Sequence, residues 1–83
     1  MISIKSKHPR QVLNEIRWRY DLKRCRVYYV HRGAPQDTKI IEGKLINKID
    51  RGFLILEGSI HIPYHRIFRI DYDNKVVFEH PNK

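Results

Sequence analysis

The spacing of apolar residues changes near residue 25, from the period of a helix to that of a strand. Before this change, four apolar side chains fall on one helical face: Val12, Leu13, Ile16 and Tyr20. Pro9 fits the first position of a helix. We therefore expect one amphipathic helix over residues 9–19, with the ring of Trp18 folded back onto the core rather than exposed for a ligand.

After the change, the side chains alternate, which predicts a strand that begins at Cys25. One face carries Cys25, Val27, Tyr29 and His31, and the other carries Arg26, Tyr28, Val30 and Arg32. Further β-rich runs follow, and Gly43 inside one of them would permit a sharp bend or bulge. We expect an α+β fold, with the N-terminal helix packed on a strongly bent antiparallel sheet of about five strands, as in a small Sm-like or SH3-like barrel.

The length of 83 residues favours a single domain over residues 1–83, with its core at about 8–78. The one cysteine, Cys25, excludes an internal disulfide and a cysteine cluster for zinc, so we expect it in the core. The apolar runs are too short to span a bilayer, and the first residues lack the apolar stretch of a secretory signal. We therefore expect a cytoplasmic protein with no membrane partner.

Positive charge is concentrated in the first part of the chain. The whole chain carries +8, and residues 1–32 hold nine Lys or Arg against Glu15 and Asp21, a net +7. Such a surface attracts polyanions over the Debye length, which makes nucleic acid the first partner to consider. Solubility alone is the competing explanation, because charge asymmetry does not by itself identify a partner.

Motifs that would identify a common enzyme class or a metal site are missing from the sequence. It has no Gly-rich phosphate loop, no nucleophile elbow and no His-Glu-x-x-His pair. His61 and His65 stand four residues apart, but Pro63 between them disfavours the helix that would place both on one metal. We expect no metal and no cofactor, and we expect "IPYHRI" to begin as a turn of 3₁₀ type.

Two His-Arg pairs, His31-Arg32 and His65-Arg66, stand at predicted junctions between strand and turn. Side chains from different strands of a small barrel can converge there on one mouth. An arginine fork matches two phosphate oxygens, and an imidazole adds a directional donor, so the two pairs together predict a phosphate pocket. Gly33 would let a ligand approach the backbone or let the chain turn with positive φ. Taken singly, each pair is better explained by structure alone, as a hydrogen-bonded His at a strand end beside a solvated Arg.

Aromatic residues beside the pairs are candidates for stacking on a base or ribose. Alternation places Tyr29 on the core face, whereas Tyr28 shares the basic face with Arg26, so we expect Tyr28 and Arg26 to contact RNA. Tyr64 could face either way.

Three segments carry a resemblance to a known family: "HPRQVLNEIRW", "YVHRGAPQDTKIIEGKLI" and "IPYHRIFRI". Over about residues 8–78, the chain resembles a small, mostly archaeal domain family predicted to recognise RNA ends that carry a cyclic group. The resemblance implies binding of RNA ends with a 2′,3′-cyclic phosphate, in RNA repair or processing. It places the family's pattern on His31, Arg32, Gly33, His65 and Arg66.

Three hypotheses follow. The first is a non-catalytic RNA-binding module that captures single-stranded phosphate ends, with an RNA-repair or processing enzyme as a second partner. The second is a small phosphodiesterase or ribonuclease that uses His31 and His65 as general acid and base, although the chain lacks the paired His-x-Thr/Ser signature of two-histidine phosphoesterases. The third is an Sm-type interaction module that assembles into rings.

Overall fold

A computed structural model describes residues 7–80, which form one helix and seven strands. The elements are α1 (Pro9–Arg19), β1 (Cys25–Val30), β2 (Thr38–Glu42), β3 (Ile46–Ile49), β4 (Phe53–Leu56), β5 (Ile60–Pro63), β6 (Ile67–Tyr72) and β7 (Lys75–Glu79). All strand pairs are antiparallel and form two sheets, in the orders β2-β1-β6-β7 and β3-β4-β5. The α+β class and the bounds of the helix are confirmed.

Helix α1 forms where the apolar stripe and the proline predicted it. Nδ1 of His8 caps its start by accepting from the backbone N–H of Arg10 at 3.2 Å. Val12, Leu13 and Ile16 are fully buried. No helix within residues 7–80 has the length and apolarity needed to cross a bilayer.

The expectation that Trp18 packs onto the core is wrong. Its side chain is 76% exposed. The physical reason is its position on the helix, since it lies off the apolar stripe and the chain leaves α1 at Tyr20 without folding back over it. The guanidinium of Arg17 lies 5.5 Å from the centroid of the indole.

The prediction of one barrel of about five strands is also wrong, because the described residues form two separate sheets with no closed barrel. Two short 3₁₀ turns, Gly43–Leu45 and Tyr64–Arg66, explain the difference. The first begins at Gly43, where the sequence predicts a bend, and the second confirms the 3₁₀ turn expected in "IPYHRI". The strands before and after each turn belong to different sheets. A single hydrophobic cluster joins α1 to both sheets and includes Leu13, Val27, Leu54, Ile62 and Ile70.

Gly43 begins the 3₁₀ turn through which the chain passes from β2 in the larger sheet to β3 in the smaller one. The sequence predicts a bend at this residue. It is buried against the chain before β1. A Cβ at this position would overlap the carbonyl oxygen of Leu22 and lie 2.6 Å from Sγ of Cys25. Cys25 is buried as expected, and burial raises the pKa of its thiol to about 12. Glycine is therefore required here for close approach of the backbone.

We expect Gly43→Ala to lower the free energy of unfolding by about 3 kcal/mol, because backbone atoms and a buried sulfur must move to admit the methyl group. Gly52→Ala is the matched control, since no atom lies within 4 Å of the place that its Cβ would take. Urea titration followed by circular dichroism measures both variants. Equal stability of the two would contradict the close-approach explanation.

Candidate functional site

The pairing of β1 with β6 brings the two His-Arg segments to the same end of the larger sheet. Tyr29 is paired with Ile67 across the two strands. His31 lies two residues beyond Tyr29, and Arg66 directly precedes Ile67. Because the strands run antiparallel, the end of β1 meets the start of β6.

A cavity of about 350 Å³ opens at this end of the sheet. Its walls come from β1, β2, β5 and the 3₁₀ turn before β6, so it lies where the two sheets meet. The lining residues are Tyr29, His31, Lys39, Ile60, His61, Ile62, Pro63 and Arg66. Two cations and two imidazoles therefore surround a space with an apolar wall of two isoleucines and a proline.

The lining of this cavity contains no carboxylate. Two other cavities on the described residues include Asp or Glu in their walls. Neither Lys39 nor Arg66 forms an ion pair with a carboxylate of residues 7–80, whereas Arg69 pairs with Asp71 at 2.8 Å. The positive charge at this site is thus not paired with any described carboxylate, an arrangement that can attract an external anion.

Tyr29 adds a neutral donor to the cavity. The residue is only 7% exposed, yet its hydroxyl makes no hydrogen bond to any other residue that the structure describes. Burial raises the pKa of this phenol, so the hydroxyl keeps its proton. The imidazole of His31 lies edge-on to the ring, with centroids 6.2 Å apart. Among the described residues, no buried side-chain N or O atom lacks a hydrogen-bond partner, so this hydroxyl is open to solvent and free to donate to a ligand in the cavity.

The other members of the two His-Arg segments lie outside the cavity lining. Arg32 and Gly33 form a turn closed by the backbone N–H of Ala34, which donates to the carbonyl oxygen of His31 at 3.2 Å. Gly33 has φ +95°, which confirms the predicted positive φ. Arg32 and His65 are exposed to solvent.

Tyr28 and Arg26 lie on the outer face of β1, away from the cavity. The hydroxyl of Tyr28 donates to Oδ2 of Asp71 at 3.1 Å, and the guanidinium of Arg69 covers its ring at 4.8 Å from the centroid. Arg26 is five residues before His31, roughly 16 Å along the strand. It lines a separate cavity of about 240 Å³ together with Glu42 and Asp71.

Tyr64 belongs to the core, since it is buried and burial raises its pKa. Its hydroxyl donates toward the carbonyl oxygens of Asp50 and Phe53, the latter at 3.0 Å. These contacts hold the β3-β4 turn and leave no open ring face for a base.

Sequence reasoning missed the cavity roles of Tyr29, Lys39 and His61. Lys39 is opposite Tyr29 in the β1-β2 ladder, and His61 is opposite Ile55 in the β4-β5 ladder. Their positions at the cavity could be predicted only from the register of these strand pairs. The spacing of His61 and His65 in the sequence presents His61 only as a candidate metal ligand. Within residues 7–80, no group of three or more His, Cys, Asp or Glu is arranged to hold a metal ion.

The sequence of this chain is similar to those of known proteins. Residues 7–80 match the MJ1316 RNA cyclic group end recognition domain. The chain belongs to this family. A UPF0248 protein of Archaeoglobus fulgidus is 31% identical over 71 residues, which cover 83% of this chain and 100% of that protein. A UPF0248 protein of Thermococcus onnurineus is 43% identical over 58 residues, 65% of this chain and 64% of that protein. No solved structure matches the chain significantly.

Two tyrosine-to-phenylalanine changes test whether the hydroxyls of Tyr29 and Tyr64 stabilise the fold. We expect Tyr64→Phe to lower the free energy of unfolding by about 1 to 2 kcal/mol, because the part-buried hydrogen bonds from its hydroxyl to the carbonyl oxygens of Asp50 and Phe53 are lost. We expect Tyr29→Phe to change it by less than about 0.5 kcal/mol, because no hydrogen bond within the protein is lost. Chemical denaturation of both variants measures the difference. A loss at Tyr29 as large as that at Tyr64 would show that its hydroxyl is structural.

Proposed function

We propose that this chain binds single-stranded RNA ends that carry a 2′,3′-cyclic phosphate, with the phosphate in the cavity beside His31, Lys39 and Arg66. One observation carries the proposal: cations, imidazoles and an unpartnered phenol line this cavity, and no carboxylate does. The name of the family domain supports the same class of ligand.

The chemistry of the cavity suits a cyclic phosphodiester. This group has one negative charge and two free oxygens, which match the forked donors of Arg66 with a flanking imidazole or phenol. The apolar wall of Ile60, Ile62 and Pro63 suits the carbon face of a ribose. The volume of about 350 Å³ is at the small end of ligand pockets, which favours a compact cyclic end over a bulkier, doubly charged monoester.

Exposed basic residues outside the cavity would hold the RNA backbone. Arg26, Arg32 and His65 lie at the surface, and Gly33 gives the turn beside the cavity a backbone that RNA can approach closely. Contacts to phosphates position the RNA without reading its sequence and weaken as salt rises. In this proposal, a separate RNA-repair or processing enzyme acts on the captured end.

RNA oligonucleotides that differ only in their 3′ end test the proposal. We expect a 2′,3′-cyclic phosphate to bind about tenfold more tightly than a 3′-hydroxyl, because charge-assisted hydrogen bonds form only with the phosphate. A 3′-phosphate is the third ligand. Fluorescence anisotropy at fixed salt measures all three affinities.

Arg66→Ala should remove the preference for the cyclic end. Arg26→Ala is the matched control, since it removes the same charge at the other end of β1 and should weaken all three RNAs alike, with a salt slope reduced by about 0.7. Equal affinity of the wild-type protein for the three ends would refute end recognition.

Catalysis is the second candidate, because two imidazoles line the cavity. The pair in the structure is His31 with His61 rather than His31 with His65. In hydrolysis of the cyclic ester, one imidazole would take a proton from water as the new O–P bond forms. The other would protonate the ribose oxygen that leaves phosphorus.

Incubation with nucleoside 2′,3′-cyclic phosphates decides between binding and catalysis. We expect no turnover, as befits a binding module. Turnover that is lost in His31→Ala and His61→Ala but kept in His65→Ala would instead establish the enzyme.

A further inference from the structure

Phe53 presents an exposed aromatic ring beside the cavity. Its side chain is 43% exposed, although large aromatic side chains are usually buried. The centroid of its ring lies 5.8 Å from that of His61, with the two planes tilted by 41°. His61 is one wall of the cavity, so the ring of Phe53 extends that wall with an apolar, flat surface.

The backbone holds Phe53 in this position without help from a ligand. Its carbonyl oxygen accepts hydrogen bonds from the backbone N–H of Asp50 and from the hydroxyl of Tyr64, both at 3.0 Å. In the β4-β5 ladder it is paired with Pro63, which also lines the cavity. Because the backbone at Phe53 is already ordered, a ligand that stacks on its ring does not have to order this part of the chain.

We propose that Phe53 and His61 form the stacking site for the base of the terminal nucleotide. The inference rests on the proposed function, in which the phosphate is bound near Arg66 and Lys39. One ribose separates the base of that nucleotide from the phosphate. With the ribose packed along the apolar wall, the base lies beside His61. Unpaired bases stack on exposed aromatic side chains, and every base has a π face, so this site accepts any of the four bases.

Other aromatic residues are less suited to this role. Tyr28 has one face under Arg69, and Tyr64 is buried. Trp18 is exposed, but it stands on α1, whereas the walls of the cavity come from strands and from the turn Tyr64–Arg66. Phe53 alone among these four contacts a residue of the cavity wall through an exposed ring.

A pair of RNA ligands isolates the stacking contribution. Both carry a 2′,3′-cyclic phosphate, and they end in uridine or in 5,6-dihydrouridine, whose saturated ring has similar polar groups but no aromatic face. We expect the wild-type protein to bind the uridine end about tenfold more tightly. Phe53→Leu should remove this difference by weakening only the uridine ligand, and Phe53→Tyr should retain it. Anisotropy titrations at fixed salt measure each affinity.

The outcomes separate this inference from the proposed function. Equal binding of uridine and dihydrouridine ends by the wild-type protein would overturn the stacking site, and this comparison needs no variant to fold. Equal loss of both ligands in Phe53→Leu would overturn it too. A preference for cyclic over 3′-hydroxyl ends in the same experiments would leave the phosphate site standing. The absence of that preference would refute the phosphate site instead.

Discussion

The pairing of β1 with β6 is the constraint on which the fold and the candidate site both depend. These strands form the centre of the larger sheet, and their register decides which side chains meet at its ends. A slip of one residue would turn Tyr29 and His31 to the opposite face, away from the cavity. The register itself shifts between Tyr28 and Tyr29, so Phe68 has no direct partner on β1. Such bulges redirect the neighbouring chain, which here carries Arg66.

The local parts of this fold could be predicted from sequence, because their causes are local. Pro9 and the apolar stripe determine α1, and alternation determines β1. The division into two sheets has a different cause. Gly43 and Pro63 mark the two turns in the sequence, but the sheet that each strand joins depends on contacts between residues far apart in the chain, such as Gly43 with Leu22. The exposure of Trp18 could not be predicted for the same reason. The general preference of large aromatic residues for burial does not show whether another part of the chain packs against this one.

The candidate site was predictable only where a motif marks it. His31 and Arg66 stand in repeated His-Arg pairs and do line one cavity. Lys39, His61 and Tyr29 come to the same place through cross-strand registers, which sequence alone does not give. The convergence places like charges and imidazoles together without a compensating carboxylate. Lys39, His61 and Arg66 are exposed, so the convergence leaves a positive surface that the proposed anionic ligand would meet.

Tyr64 connects the two parts of the proposed site. It begins the 3₁₀ turn that carries Arg66, and its hydroxyl bonds the carbonyl oxygen of Phe53. In the proposed site, Tyr64 thus joins the backbone segments that carry Arg66 and Phe53, although it would touch neither phosphate nor base. Because the turn also links the smaller sheet to the larger one, movement between the sheets would change the distance from Arg66 to Phe53. Under the proposal, a ligand that spans both must match this distance, and the match would favour a nucleotide end over a free phosphate ion.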